Sequence, residues 1–237
     1  MTSLLTNALE GETVSVDLTD SKADFSSVIL TSEDIAVIAV PSYGGRVPEP
    51  AAKRIAEMKG NGAKAILVCV YGNRTYEDTL VELQDVAKQA GFSVISAVAA
   101  VAEHSIAHQY AAGRPDAQDN KQLQEFAKKI QEKLSSGDTS ELYMPGNRPY
   151  KKSGGGGMIP KATKDCTGCG LCAEKCPVQA IDRNDPKTVD VKKCISCMRC
   201  ASICPQSARK VSSVMLFAVS LVLKKACSER KDCELYL

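Results

Sequence analysis

Apolar runs and amphipathic stretches alternate along the first 135 residues of the chain. Residues 14–18, 35–40, 65–71 and 92–101 are rich in Val, Ile and Ala and read as strands. The patterns between them predict helices over 50–59, with Pro50 near the first turn, over 75–90, ended by Gly91, over 103–112, ended by Gly113 and Pro115, and over 116–134. Buried, β-rich runs alternating with helices predict an α/β domain, a parallel sheet with helices on both faces. In such sheets ligands sit beyond the carboxyl ends of the strands.

The alternation stops at 153–157, where Ser153 and four glycines follow Pro145, Pro149 and two lysines, a composition that predicts a linker. The expected division is a domain over 1–145, a linker over 146–157, a small module over 158–210, and a C-terminal helix and tail over 211–237. No apolar run reaches the ~20 residues a membrane span needs. The nearest candidate, 211–223, carries three serines and runs into Lys224 and Lys225. It predicts a mostly buried helix that packs the small module onto the first domain. Residues 1–12 lack the basic start and sustained apolar core of a secretory signal, so a cytoplasmic protein is expected.

The cysteines add chemistry to this outline. Eight of the eleven form two copies of one run, Cys166, Cys169, Cys172 and Cys176 before Pro177, then Cys194, Cys197, Cys200 and Cys204 before Pro205, offset by 28 residues at every cysteine. Three thiolates spaced by two residues can be wrapped by one tight turn around three irons of a cubane, but the same turn cannot supply the fourth ligand. Structural zinc uses pairs of ligands with a longer gap between them and does not need two fused runs ending in Cys-Pro. A disulfide framework suits secreted chains. Gly168 and Gly170 leave room for backbone N–H groups to approach cluster sulfur. The second copy has Ile195, Ser196, Met198 and Arg199 instead, which predicts a different potential.

The run resembles that of the bacterial two-cluster ferredoxins, C-x2-C-x2-C-x3-C-P. The resemblance implies two [4Fe-4S] clusters in a small α+β domain. It also implies crossed ligation: Cys166, Cys169, Cys172 and Cys204 hold one cluster, and Cys194, Cys197, Cys200 and Cys176 hold the other.

Charge is divided unevenly, with 14 Lys+Arg against 20 Asp+Glu in residues 1–150 and 16 against 8 in residues 151–237. A basic half suggests nucleic acid or an anionic membrane. Two clusters at about −2 each when oxidised offset half of that excess, so nucleic-acid binding is not expected. Lys175, Lys192, Lys193 and Arg199 stand beside the cysteines, where they favour electron uptake.

Two glycine-bearing loops follow consecutive strands. Ser42, Tyr43, Gly44 and Gly45 come after the strand at 35–40, and Gly72, Asn73, Arg74 and Tyr76 after the strand at 65–71. Each offers backbone N–H groups and an aromatic ring that could stack on a flat cofactor. On these loops the first domain resembles flavodoxin, and the fusion resembles the flavodoxin-like iron-sulfur proteins of anaerobic bacteria. The resemblance implies that the two loops are the walls of an FMN site. Flavodoxins begin with a strand and a Ser/Thr-rich loop that wraps the FMN phosphate at a helix N-terminus. Neither is present, and residues 1–9 read as the latter part of the first helix. The flavodoxin-like sheet is therefore expected to be N-terminally truncated, FMN binding to be weak, and the strand at 14–18 to lack its neighbour.

His104 and His108 are four apart but lack the acidic residue between them of a metalloprotease motif, so an ordinary capped helix start is expected. Cys69 reads as a small hydrophobe in a buried strand, and Cys227 and Cys233 as surface thiols. No catalytic residue is expected. The sequence predicts an electron carrier that passes electrons through two clusters to or from FMN or a docked redox protein. Its rivals are a flavin-dependent reductase of a small molecule and a ferredoxin whose first domain only docks partners.

Overall fold

Three of the four expected strands form, and they run parallel. β1 (Ile35–Pro41), β2 (Lys64–Tyr71) and β3 (Ser93–Val101) pair in sequence order, with α2 (Glu49–Glu57) and α3 (Thr79–Gln89) as their crossovers. The computed structural model describes residues 2–7, 9, 11–138, 140–152 and 157–237, so positions 153–156 of the linker expected at 146–157 lie outside the described residues. β2 is buried on both faces because its side chains alternate between two layers. Leu67, Cys69 and Tyr71 pack with Ile55 of α2 and with Leu80 and Leu83 of α3. Ile66 and Val68 pack on the other side with Leu5 of α1 (Thr2–Thr6) and with Leu123, Ala127 and Ile130 of α4 (Ala117–Ser136). Cys69 is thus the fully buried small hydrophobe its strand predicts.

α4 starts where a capping box forms, the Asp116 carboxylate accepting from the Gln118 and Asp119 N–H groups and Asp119 returning the bond, and it ends on Gly137 at φ 69°. α3 starts at Thr79, later than its pattern suggests. Glu77 adopts a positive φ of 43°, which no helix accommodates.

Three expectations are corrected. Residues 14–18 form no strand: the Asp17 carboxylate accepts the Thr19 N–H (2.8 Å) and hydroxyl (2.6 Å), a side-chain turn that competes with extended backbone, and Val14 is 84% exposed. Residues 103–112 form turns and no helix. There the His104 Nδ1 accepts the N–H groups of Ile106 and Ala107, both at 3.2 Å, and Glu103 pairs with His108 (2.7 Å), so the side chains take the place of helical partners. The C-terminal apolar segment does form a helix, α7 (Ser213–Cys227), but it is not mostly buried. Leu216, Val219 and Leu223 face inward with Cys227, while Phe217 and Val222 are 67% and 81% exposed. The Ser220 carbonyl accepts the Tyr110 hydroxyl (2.6 Å), so α7 rests on the 103–113 turns. Among the described residues no helix is long and apolar enough to cross a membrane.

The tail after α7 returns to the sheet. β6 (Glu234–Tyr236) pairs antiparallel with β3, placing Tyr236 opposite Ala97 and Glu234 opposite Ala99. The final order is β1-β2-β3-β6.

Residues 142–151 strap α3. Leu142 and Met144 enter the core, the Leu142 carbonyl accepts from Gln84 (3.0 Å), Arg148 pairs with Asp85 (2.6 Å), and the Lys151 N–H donates to Asp78 (2.7 Å). Arg148, and then the Tyr150 hydroxyl against partial burial, hold the Asp85 carboxyl below its ordinary value. A carboxyl depressed in the folded state contributes stability that is fully present above its unfolded pKa of about 3.9 and is lost as pH falls through its folded value. The urea midpoint should therefore fall more in wild type than in Asp85→Asn as pH is lowered from about 5 to about 3. Equal falls in the two proteins would remove Asp85 from the account.

Candidate metal centres

The 28-residue offset of the cysteine runs is also a structural repeat. α5 (Leu171–Glu174) and α6 (Arg199–Ser202) occupy matching positions. Ahead of them, Gly168 and Gly170 have φ of 72° and 78°, and their counterparts Ser196 and Met198 have φ of 53° and 59°. A left-handed residue with a Cβ costs roughly 1–2 kcal/mol, so the turn that wraps each cysteine triad imposes its conformation whether or not glycine is there. The fourth cysteines match as well. The Cys176 Sγ accepts the Ala180 N–H and the Cys204 Sγ accepts the Ala208 N–H, each at 3.3 Å, while Gln179 and Ser207 take φ of 51° and 47°. β4 (Lys161–Ala162) with β5 (Arg209–Lys210), and the bridge between Ile181 and Val189, close the module on its two sides.

Each short helix carries its run's last cysteine away from its own triad and toward the other. One cavity is lined by Cys166, Cys169, Cys172 and Cys204. A second is lined by Cys194, Cys197, Cys200 and Cys176. Among the described residues no group of three or more His, Cys, Asp or Glu side chains is placed to hold a single metal ion. The thiols ring two cavities instead of converging on a point, and the remaining lining is largely apolar. That donor set fits a polynuclear iron-sulfur group. Burial pushes Cys197 up and Cys200 up to about 11, so cationic iron must favour their thiolates. Burial also pushes on Cys204, but the N–H groups of Ala208, Gln206 and Arg209 outweigh it and hold this thiol below its ordinary value.

The second cavity abuts the first domain. Arg54 donates to the Pro177 carbonyl (2.6 Å) and to the Leu18 carbonyl (2.7 Å), Gln179 donates to the Ser21 hydroxyl (2.7 Å), and Arg199 lies 3.7 Å from Asp17. Tyr43 faces this side: burial and then the charge of Cys197 raise its phenol, with Arg199 opposing. The first cavity is lined wholly from residues 166–209, and its Cys169 is exposed.

The two glycine loops lie side by side, but their side chains are engaged by the chain itself. Ser42 shares a hydrogen bond with Thr79 (2.7 Å), and Gly44 stays exposed at φ 61°. Gly45, at φ 84°, is covered by Glu77, whose carboxylate would stand 1.8 Å from any Cβ there. Glu77 in turn pairs with Arg74 (3.0 Å), and Gly72 is pressed against His104. Asn73 donates to the carbonyls of Cys227 (2.8 Å) and Glu229 (2.7 Å) and accepts the Lys231 N–H (3.1 Å). Tyr76 bonds Glu234 (2.7 Å) and the Tyr236 hydroxyl (2.6 Å). The tail thus fills the second loop, and this arrangement does not fit a flavin ring laid between the two. Cys227 and Cys233, expected as surface thiols, are corrected to buried ones at 2% and 6% exposure. Sequence reasoning also passed over Arg209, which is 4% exposed and lines both cysteine cavities.

Together these features define an α/β protein with a predominantly parallel sheet and a small ferredoxin-like iron-sulfur domain. Residues 158–205 match the family model of a 4Fe-4S dicluster domain. The match contains all eight run cysteines and supports [4Fe-4S] binding and iron-sulfur electron transfer by this part of the chain. No curated protein and no solved structure matches the chain.

Proposed function

We propose that the protein is an electron carrier that holds two [4Fe-4S] clusters with crossed ligation, Cys166, Cys169, Cys172 and Cys204 for the first and Cys194, Cys197, Cys200 and Cys176 for the second. The observation that carries this reading is the repeat itself: two four-cysteine cavities, each completed by the other run's last cysteine. When bound, such clusters supply one-electron exchange at low reorganisation cost. The chain's own part is to fix the thiols, to aim N–H groups of the triad turns and of Ala180 and Ala208 at sulfur, and to keep water from the second cavity by packing it on the first domain.

The exposed Cys169 side is where a soluble redox partner docks, and the excess of Lys and Arg over Asp and Glu in residues 151–237 suits an acidic one. The second cavity, beside Tyr43, faces the α/β domain, whose role is to hold and orient the module. We draw no step through FMN, because Asn73, Tyr76 and Glu77 are engaged by the chain itself.

Anaerobic reconstitution followed by iron, sulfide and flavin assay tests the proposal. About eight irons per chain are expected, with FMN binding weaker than about micromolar. About four irons, or stoichiometric zinc in protein isolated natively, would overturn the two-cluster reading. Sub-micromolar FMN binding would overturn the reading of the loops.

A further inference from the structure

A buried arginine stands between the two cysteine cavities. Arg209 is 4% exposed and lines both of them. Its two terminal nitrogens donate to the carbonyls of Pro160 and Pro186, and its Nε is buried without a partner. Among the described residues no carboxylate lies within 4.0 Å of it, although Asp185 is near enough to feel its charge. Two neutral carbonyls do not compensate a guanidinium taken out of water, and an uncompensated buried charge is strongly destabilising. The anion that completes this site must come from what the cavities hold.

The internal repeat makes the residue conspicuous. Its counterpart 28 positions earlier is Ile181, a buried side chain in the module's apolar cluster. The same backbone position therefore accepts an aliphatic side chain on one side and carries a cation on the other. The positive charge is not a requirement of the fold.

We propose that Arg209 is a shared counter-cation for both clusters, its guanidinium lying between them and its free Nε–H directed to cluster or cysteinyl sulfur. This rests on the two-cluster reading above. A cluster gains a negative charge on reduction, so a fixed cation between the two stabilises the reduced form of each and raises both potentials.

The test compares wild type with Arg209→Ile, Arg209→Gln and Arg209→Lys, each reconstituted anaerobically, assayed for iron, and titrated potentiometrically with the reduced clusters counted by electron paramagnetic resonance. Arg209→Ile copies the side chain already present at Ile181. In Ile and Gln the equilibrium constant for one-electron reduction should fall at least tenfold at each cluster, a downward shift of about 59 mV or more, while Lys keeps most of the wild-type value. Neutral variants that lose iron where Lys retains it would also support the proposal, by showing that the charge is needed for assembly. Potentials unmoved in Ile and Gln, a shift confined to one cluster, or loss of iron in all three variants including Lys would each overturn it. Wild type with far fewer than about eight irons would instead sink the two-cluster reading, so the two failures are distinguishable.

Discussion

Cys176→Ala and Cys194→Ala should cost the protein the same cluster, although the two residues belong to different runs. Each single variant is expected to show about one reduced [4Fe-4S] spin per chain where wild type shows about two. The double variants carry the argument. If Cys176 and Cys194 serve one cluster, Cys176→Ala with Cys194→Ala still shows about one spin, because the second substitution removes a ligand from a cluster already lost. Cys176→Ala with Cys166→Ala should show almost none. Residues that act as a unit are non-additive in this way, and residues in separate units add. The structural basis is the position of the Cys176 Sγ, which takes the Ala180 N–H at 3.3 Å and lines the cavity of Cys194, Cys197 and Cys200. The opposite pattern, about one spin with Cys166→Ala and none with Cys194→Ala, would assign Cys176 to its own run.

The 4Fe-4S character of the small module was legible in the sequence because thiolate ligands are chemically specific and recur at a fixed spacing. The strands at 35–40, 65–71 and 92–101 were legible for a different reason, as β-rich apolar runs, and 65–71, buried on both faces, has no charged or amide side chain to mislead. The helix over 116–134 announced itself through Asp116. Elsewhere tertiary partners decided the outcome. The three residues of β6 are too few to show a period, and Glu234 and Tyr236 take their place through pairing with β3 and through Tyr76, which bonds both. The Asn73 side chain looked like part of a cofactor loop, yet its amide satisfies backbone groups more than 150 positions away. For α7 the composition correctly gave a helix, but which face turns inward depended on Tyr110 reaching the Ser220 carbonyl. The left-handed Met198 and Ser196 show the reverse case, in which the cysteine spacing fixes a backbone that those residue types do not favour.

The largest loss of stability in the α/β domain is expected from Asp119→Ala. Asp119 is fully buried and Arg114 is 7% exposed. The Asp119 carboxylate accepts from Arg114 Nε (2.9 Å) and Nη2, from the Asp116 N–H (2.9 Å), and from Arg230 of the tail (3.2 Å). Arg114 Nη1 also donates to the Lys231 carbonyl (2.8 Å), so the pair joins the start of α4 to the segment that leads into β6. Removing the carboxylate strands a buried guanidinium, and breaking a buried pair from one side costs about 3–5 kcal/mol. That is a large fraction of the roughly 5–15 kcal/mol that holds a domain folded. Arg230→Ala, whose side chain is 39% exposed, should lower the unfolding midpoint far less, because surface pairs contribute little. Replacing both partners, Arg114→Met with Asp119→Leu, should recover most of the loss, since it leaves no charge unpaired. Anaerobic urea unfolding followed by circular dichroism would rank the three proteins, with iron content, expected unchanged, as the check that the cysteine module is intact. An Asp119→Ala midpoint no lower than that of Arg230→Ala would show that this pair does not hold the tail against the sheet.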